Sequence, residues 1–214
     1  VVKGVLEYPT ITPGYYIRPK LSVQSNTYSA TAYQPGYLPA QGFLIPTASL
    51  DTGLAFERDA LEMGSFFGQN MLLSLEPRAL YVYTPYVNQA NTPLFDTADQ
   101  GFGIGQIFSE NTFIGNDRIS DNNKLTAGLT SRITEANTGA ERAVITLAQQ
   151  QQFSPQKVGL TGNIASPTAY SDTLAAASVR LMGNFNADVF GQYNTQLNRF
   201  VQTTVGGSWR PTPG

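Results

Sequence analysis

The chain contains neither cysteine nor histidine in 214 residues. Without cysteine there is no disulfide, thiolate nucleophile, zinc ribbon or iron–sulfur cluster. Without histidine there is no Ser–His–Asp triad and no imidazole metal ligand within this chain. Charge is also scarce: 13% of residues, against roughly 25% in an ordinary soluble domain. The net charge of −2, with no basic run, excludes the electrostatic footprint of a nucleic-acid binder. No window of about 18 apolar residues is present, which excludes a transmembrane helix. The N-terminal Val-Val-Lys-Gly-Val-Leu-Glu has no Met, basic n-region or apolar h-region, and reads as a processed or truncated end rather than a signal peptide.

What is abundant is uncharged polarity. Thr (22), Ser (14), Asn (14) and Gln (15) together make 65 of the 214 residues. Aromatics at 11% and apolar residues at 41% set the chain apart from intrinsically disordered sequences. The apolar residues recur with period 2, not 3.6. Over 122–134, Leu125, Ala127, Leu129 and Ile133 share one parity against Lys124, Thr126, Thr130 and Arg132. Over 69–83, Met71, Leu73, Leu75, Ala79, Tyr81 and Tyr83 oppose Ser74, Glu76 and Arg78. The same rhythm runs through 44–58 (Leu44, Leu50, Leu54, Phe56), 141–153 (Ile145, Leu147 against Arg142) and 184–195 (Val189 against Asp188). With less regular runs at 4–11, 15–33, 171–182 and 198–209, this predicts about nine strands, most of them roughly 10 to 19 residues long. Such strands exceed the usual five or six residues and suit a tall barrel. Aromatics on the apolar parity fall near strand ends (Tyr15, Tyr33, Phe56, Tyr81, Tyr83, Phe153, Tyr193, Trp209), the placement of interfacial girdles around a lipid-facing band.

The expected fold is therefore all-β, an antiparallel transmembrane barrel segment. Leu73, Leu75, Leu125, Leu129, Ile145, Leu147 and Val189 are expected to face lipid. Glu76, Arg78, Lys124, Arg132, Arg142 and Asp188 are expected to face the lumen, with opposite charges on neighbouring strands answering Glu76 and Arg78. A soluble β-sandwich or solenoid is the plainer alternative, but its solvent face would lean on Lys and Glu rather than on Asn, Gln, Thr and Ser. Short connections are read at 12–14, 136–139, 183–184 and 195–197, and long ones at 34–43, 84–121 and 154–170. The 84–121 stretch carries Phe95, Phe102, Ile104, Ile107, Phe108 and Phe113, too many anchors for a slack loop.

Motifs for chemistry are weak. Gly101-Phe102-Gly103-Ile104-Gly105 lacks the spacing and the βαβ setting of a nucleotide loop. Glu110, Asp117 and Asp121 match no calcium loop. No catalytic, cofactor or metal residue is assigned, and the chain is not expected to be an enzyme.

One stretch is specific. Leu75-Glu76-Pro77-Arg78 leads into Tyr81-Val82-Tyr83-Thr84-Pro85-Tyr86, then Phe95-Asp96-Thr97. There follow Phe108-Ser109-Glu110-Asn111-Thr112-Phe113-Ile114-Gly115-Asn116-Asp117-Arg118-Ile119 and a strand ending Gly128-Leu129-Thr130-Ser131-Arg132. This resembles the barrel of the LPS-assembly outer-membrane family (LptD, or organic solvent tolerance), and Phe56-Glu57-Arg58-Asp59 matches as well. The diagnostic part covers 56–153. Two departures occur: Val87 and Thr112 stand where the family often has Arg, so no phosphate-gripping role carries over to them.

The resemblance implies that residues 1–214 belong to the C-terminal barrel domain, a wall segment of a barrel of about 26 strands, without the periplasmic jelly-roll domain. It implies an outer-membrane translocon in a Gram-negative bacterium that takes lipopolysaccharide from a periplasmic bridge protein and inserts it into the outer leaflet, its lumen plugged by an LptE-type lipoprotein. The external loop 84–121 is expected to fold over or into the lumen and to contact that plug, with Phe95, Asp96, Phe108, Phe113, Asp117 and Arg118 as its candidate residues. Asp117 and Arg118 are expected to form a charge-assisted contact that locks the loop to its own barrel or to the plug. Another outer-membrane barrel, porin or transporter, is the alternative.

Overall fold

Residues that alternate apolar and polar can satisfy their backbone only by pairing edge to edge, and the chain does this in sequence order. The computed structural model describes residues 1–29, 40–67, 70–160, 172–181 and 185–210. In chain order the strands are β1 (Val2–Glu7), β2 (Thr10–Ile11), β3 (Tyr15–Ser29), β4 (Ala40–Leu54), β5 (Phe56–Asp59), β6 (Met71–Thr84), β7 (Ala98–Asp99), β8 (Phe113–Ile114), β9 (Asn122–Glu135), β10 (Glu141–Gln152), β11 (Thr173–Leu181), β12 (Phe185–Asn194) and β13 (Arg199–Trp209). Nine of them lie side by side in the order β1-β3-β4-β6-β9-β10-β11-β12-β13, every pair antiparallel. Sequential neighbours all the way across make an up-and-down meander. Strands of 15, 14 and 12 residues (β3, β6, β10) exceed the ~10 residues a tilted strand needs to cross a bilayer.

The alternating run 44–58 is interrupted at Ala55, yet β5 keeps the register of β4 against β6: Gly53 faces Arg78 and Phe56 faces Leu75. A 3-10 turn (Leu61–Met63) and one helical turn (Gly64–Phe67) link β5 towards β6. Of the sequence-read connections, 34–39 of 34–43, 161–170 of 154–170 and 183–184, together with Tyr33, lie outside the described residues, whereas 40–43 is not loop but the ladder-paired start of β4. The turn at 195–198, with Asn198 at φ 51°, falls at the same end of the sheet as the long 85–121 connection.

Ladder partners share a face, so register carries one face assignment across the sheet. Phe56, Leu75, Ser131, Ile145, Ala177, Val189 and Val205 form one continuous row. It is open: Leu75 is 41% exposed, Ile145 55% and Val205 76%. On the other face Ser22, Asn26, Thr126 and Lys124 are at 5% exposure or less. The usual arrangement is inverted, with apolar side chains outward and amides and hydroxyls covered. On the open face aromatics gather towards both strand ends. Tyr81 with Phe153 (6.5 Å between rings) and Tyr193 with Phe200 (5.2 Å) stand at the loop end. Tyr15, Phe56, Phe185 and Trp209 stand at the other and are exposed.

Apolar residues on the covered face occur where the 85–121 connection lies on the sheet. Phe43, Ile45 and Ile119 form one cluster, joined by Tyr28 and Val87. Ile107, Ala148 and Leu174 form a second, with Ile104, Phe108 and Phe190. Leu80 and Val82 are buried on the same face.

Candidate functional site

The covered face of β3, β4, β6, β9 and β10, with the 85–121 connection seated on it, concentrates most of the charged chemistry. One covered-face row reads Tyr16, Gly53, Arg78, Gly128, Ala148, Leu174. Arg78 thus has a glycine as cross-strand neighbour on each side. Both gaps are filled by aromatic rings: a β-carbon at Gly53 would come within 2.5 Å of Tyr16, and one at Gly128 within 2.7 Å of Phe108. Between them Arg78 donates from Nε (3.0 Å) and Nη2 (2.8 Å) to Asp51, and its guanidinium stacks 4.3 Å from the Phe108 centroid. The Tyr16 hydroxyl donates to the same Asp51 at 3.1 Å. A bidentate Arg–carboxylate pair backed by two rings is a stiff, oriented unit.

Two residues along β6, Glu76 accepts from Ser74 (2.7 Å) and from Arg132 on β9 (3.2 Å), and Arg132 also pairs with Glu141 on β10. The Leu75–Arg78 and Thr130–Arg132 segments, far apart in sequence, are therefore cross-strand neighbours. Lys124 lies on this face at 2% exposure. Arg142 falls at the bulge between Glu141 and Ala143 and reaches Glu135 at 3.3 Å beside the turn. Asp188 has the covered-face parity opposite Gly206, its carboxylate occupying the space a side chain at 206 would need.

The connection is held by its own hydrogen bonds and by the sheet. Asp117 Oδ2 accepts the backbone N–H of Phe95 (2.6 Å) and Asp96 (2.9 Å), and its Oδ1 accepts from Tyr28 on β3 at 3.1 Å. Burial opposes ionisation of this carboxyl, but the N–H groups of Asp96 and Phe95 outweigh it and hold the pKa below the ordinary 3.8. Asp96 Oδ1 in turn accepts from Asn116 N–H (3.2 Å), and Asp117 N–H donates to Thr97 (3.2 Å). Asn26 and Gln24 on β3 donate to the Asn116 carbonyl at 2.6 and 3.0 Å. Arg118, buried, donates to the Gln89 carbonyl and to Thr92 Oγ1, while the Gln89 side chain pairs with both backbone groups of Ile119. Glu110 reaches the sheet, bonded to Lys20 at 2.8 Å and Ser49 at 2.6 Å. Asp121 caps the start of the next connection by accepting from Lys157 and Val158 N–H.

Of the aromatic anchors, Phe113 is 6% exposed, whereas Phe95 is 79% exposed although its ring stands 6.3 Å from Tyr28. Tyr16 and Lys20 are covered positions that no local motif marks; Asp51 lies on the polar parity of 44–58 and Gln89 closes the stretch that begins at Leu75, but the sequence assigns neither to the site. A cavity of about 470 Å³ remains between connection and sheet, with Arg18, Lys20, Asp51, Phe108 and Glu110 among its lining residues. The arrangement offers hydrogen bonds and charge of both signs in a wet groove; among the described residues no cluster of acidic side chains is placed to hold a metal ion.

The chain matches the family described as "LptD: LPS transport system D" over residues 3–214. It is 44% identical to a protein of Cupriavidus pinatubonensis named LPS-assembly protein LptD, across 99% of the chain and 26% of that relative. It is 43% identical to the protein of that name from Paraburkholderia xenovorans (98% of the chain, 27% of the relative), and 44% identical to that of Burkholderia pseudomallei (96% and 26%). The chain thus spans about a quarter of the length of the curated relatives it matches.

Proposed function

The chain belongs to the LPS transport system D family, and on that premise we propose that it is part of the wall of a Gram-negative outer-membrane barrel that carries lipopolysaccharide to the outer leaflet. The observation that carries this is the inverted polarity of the sheet. An open, mostly apolar row of Phe56, Leu75, Ser131, Ile145, Ala177, Val189 and Val205 across seven strands is unlike the scattered apolar residues of a soluble surface and suits hydrocarbon. The covered face suits a water-filled lumen that a glycolipid's polar part can traverse. Glu76, Arg78, Lys124, Arg132 and Asp188 are its lumen residues in this reading, and Arg142 guards the turn at its rim. The outer edges of β1 and β13 have no ladder partner among the described residues. Free edges in lipid cost several kcal/mol per unpaired group, about 4 or more, so neighbouring strands of the full-length protein complete the wall.

In this reading the 85–121 connection is external and folds over the lumen, and exposed Phe95 beside Asp96 is the contact for an LptE-type plug lipoprotein. Lipopolysaccharide arrives from a periplasmic bridge protein that docks outside this segment. Nitroxide labels placed one at a time at 125, 127 and 129 of the full-length protein in vesicles are expected to be quenched by lipid-soluble oxygen. A label at 130, on the covered face opposite Glu76 and lining an open cavity with Arg132, responds instead to a water-soluble nickel complex; the opposite pattern overturns the assignment of faces.

A further inference from the structure

In the Phe56–Asp59 segment, Glu57 and Asp59 take the covered-face parity, opposite Ser74 and Leu72. Because β5 keeps the register of β4, Phe56 and Arg58 stand on the open face, opposite Leu75 and Leu73. Among ladder-paired positions of the described residues, Arg58 is the one Lys or Arg on that face. An arginine there is costly towards the bilayer centre, but β5 lies at the sheet end that carries the short turns. Its side chain is 62% exposed and, among the described residues, donates one hydrogen bond, from Nη2 to Glu62 at 2.7 Å. Most of its five donors remain available. Beside it opens a groove of about 370 Å³ lined by Phe56, Arg58, Leu73, Leu75 and Ser131 on the open face, with Glu57 and Ser74 also contributing to its lining. A cation at the polar lip of an aliphatic trough is complementary to one kind of molecule, an anion attached to an acyl chain.

We propose that this groove binds an anionic glycerophospholipid, its phosphate on Arg58 and one acyl chain along Phe56, Leu73 and Leu75. The proposal rests on the barrel reading above. Glu62 is a built-in competitor, since it holds the same guanidinium through an exposed ion pair of modest strength. Lipid binding therefore exchanges one carboxylate for one phosphate.

The test uses the full-length protein in detergent, titrated with dioleoylphosphatidylglycerol and followed by native mass spectrometry. Dioleoylphosphatidylcholine, lipopolysaccharide and inorganic phosphate serve as comparison arms. One phosphatidylglycerol is expected to be retained in preference to phosphatidylcholine. Arg58→Gln should weaken it about tenfold, the worth of one charge-assisted contact. Glu62→Gln should strengthen it. Both variants should keep the heat-modifiable gel mobility of a folded barrel, and the opposite signs separate binding from damage. Equal retention by folded wild type and Arg58→Gln overturns the site while leaving the barrel reading intact. Displacement by inorganic phosphate alone, or stronger retention of lipopolysaccharide, also overturns it. A full-length protein that neither enters vesicles nor shows heat-modifiable mobility overturns the barrel reading and the site with it.

Discussion

Phe108 lies over Gly128, with its Cζ 2.7 Å from the point a β-carbon on that glycine would occupy. A strand glycine costs ladder stability, and here the bare backbone is the seat for a ring from the long connection. The ring restores cross-strand packing where the strand itself offers none. Tyr16 over Gly53 repeats the device two strands away, on the far side of β6, so Arg78 is clamped between two aromatic-covered glycines.

Gly128→Val is therefore expected to evict Phe108 and loosen the connection without unpairing β6 from β9. Limited proteolysis of the full-length protein in detergent should show cleavage within 98–112 at least about fivefold faster than in wild type, a loss of roughly 1 kcal/mol in docking. Heat-modifiable mobility should be retained. Unchanged cleavage would mean that Phe108 is not an anchor.

The second expectation concerns Asp51 and Arg78. Their exposures of 17% and 41% leave the pair partly screened, so a coupling of about 0.5–1 kcal/mol is expected, not the larger value of a buried bridge. Arg78→Asp alone places three acidic groups, with Asp51 and Glu76, in one stretch of the covered face and should lower the unfolding midpoint in urea. Adding Asp51→Arg should recover part of the loss. A double mutant no better than the sum of its singles would remove the case for cross-strand pairing.

Much of the sheet was legible because period 2 is a direct consequence of backbone geometry. The nine-strand meander and the outward parity of Leu75, Ile145 and Val189 follow from it, although the run read at 4–11 is split into the six-residue β1 and the two-residue β2. The pattern fails where both parities are apolar. Phe43, Ile45, Leu80 and Val82 sit on the covered face because a connection from elsewhere in the chain buries them, and no local periodicity records that. The two-residue strands Ala98–Asp99 and Phe113–Ile114 are too short to alternate. The Phe95–Thr97 and Asn111–Ile119 motifs, and a locking role for Asp117, could be seen in the sequence; that the lock closes on the Phe95 and Asp96 amides, with Asp96 answering Asn116, could not. Likewise Gln89 stands in for a β-strand against Ile119, a role that any amide could play and no spacing announces.

Acid should release this lock. The Asp117 carboxyl has its pKa lowered in the folded loop, so its stabilisation is fully present above the unfolded value and is lost as pH falls through the folded one. The window lies below about pH 4, and docking should be insensitive to pH between 5 and 8. Asp117→Asn should weaken docking at neutral pH by about 1–3 kcal/mol, the cost of leaving charge-assisted hydrogen bonds unmade, and should abolish the acid-dependent part. Hydrogen exchange at the Phe95 and Asp96 amides reads both effects. An acid response of equal size in Asp117→Asn would assign the lock to other groups.

The last expectation links the connection to a partner. Deleting 98–112 removes Ile107, Phe108 and Glu110, and with them the second apolar cluster and the Lys20 and Ser49 contacts. It spares Asp117, Arg118 and the Phe43–Ile45–Ile119 cluster. The strands on either side should still pair, because the β6–β9 register runs from Met71–Glu135 to Thr84–Asn122 without using the deleted residues. What is lost is the Ala98–Asp99 pairing with Phe113–Ile114 and the packing of Ile107 and Phe108 on the sheet, while Asp117 still holds the Phe95 and Asp96 amides. Co-purification of the full-length deletion protein with the plug lipoprotein should fall severalfold, and outward transport of lipopolysaccharide should fall with it. Phe95→Ala gives the narrower test, since a 79% exposed ring contributes little to the fold of its own chain, and its truncation should cost partner binding alone. If both variants retain the lipoprotein and export lipopolysaccharide at wild-type rates, the connection is a passive cover and the plug is held by other parts of the barrel.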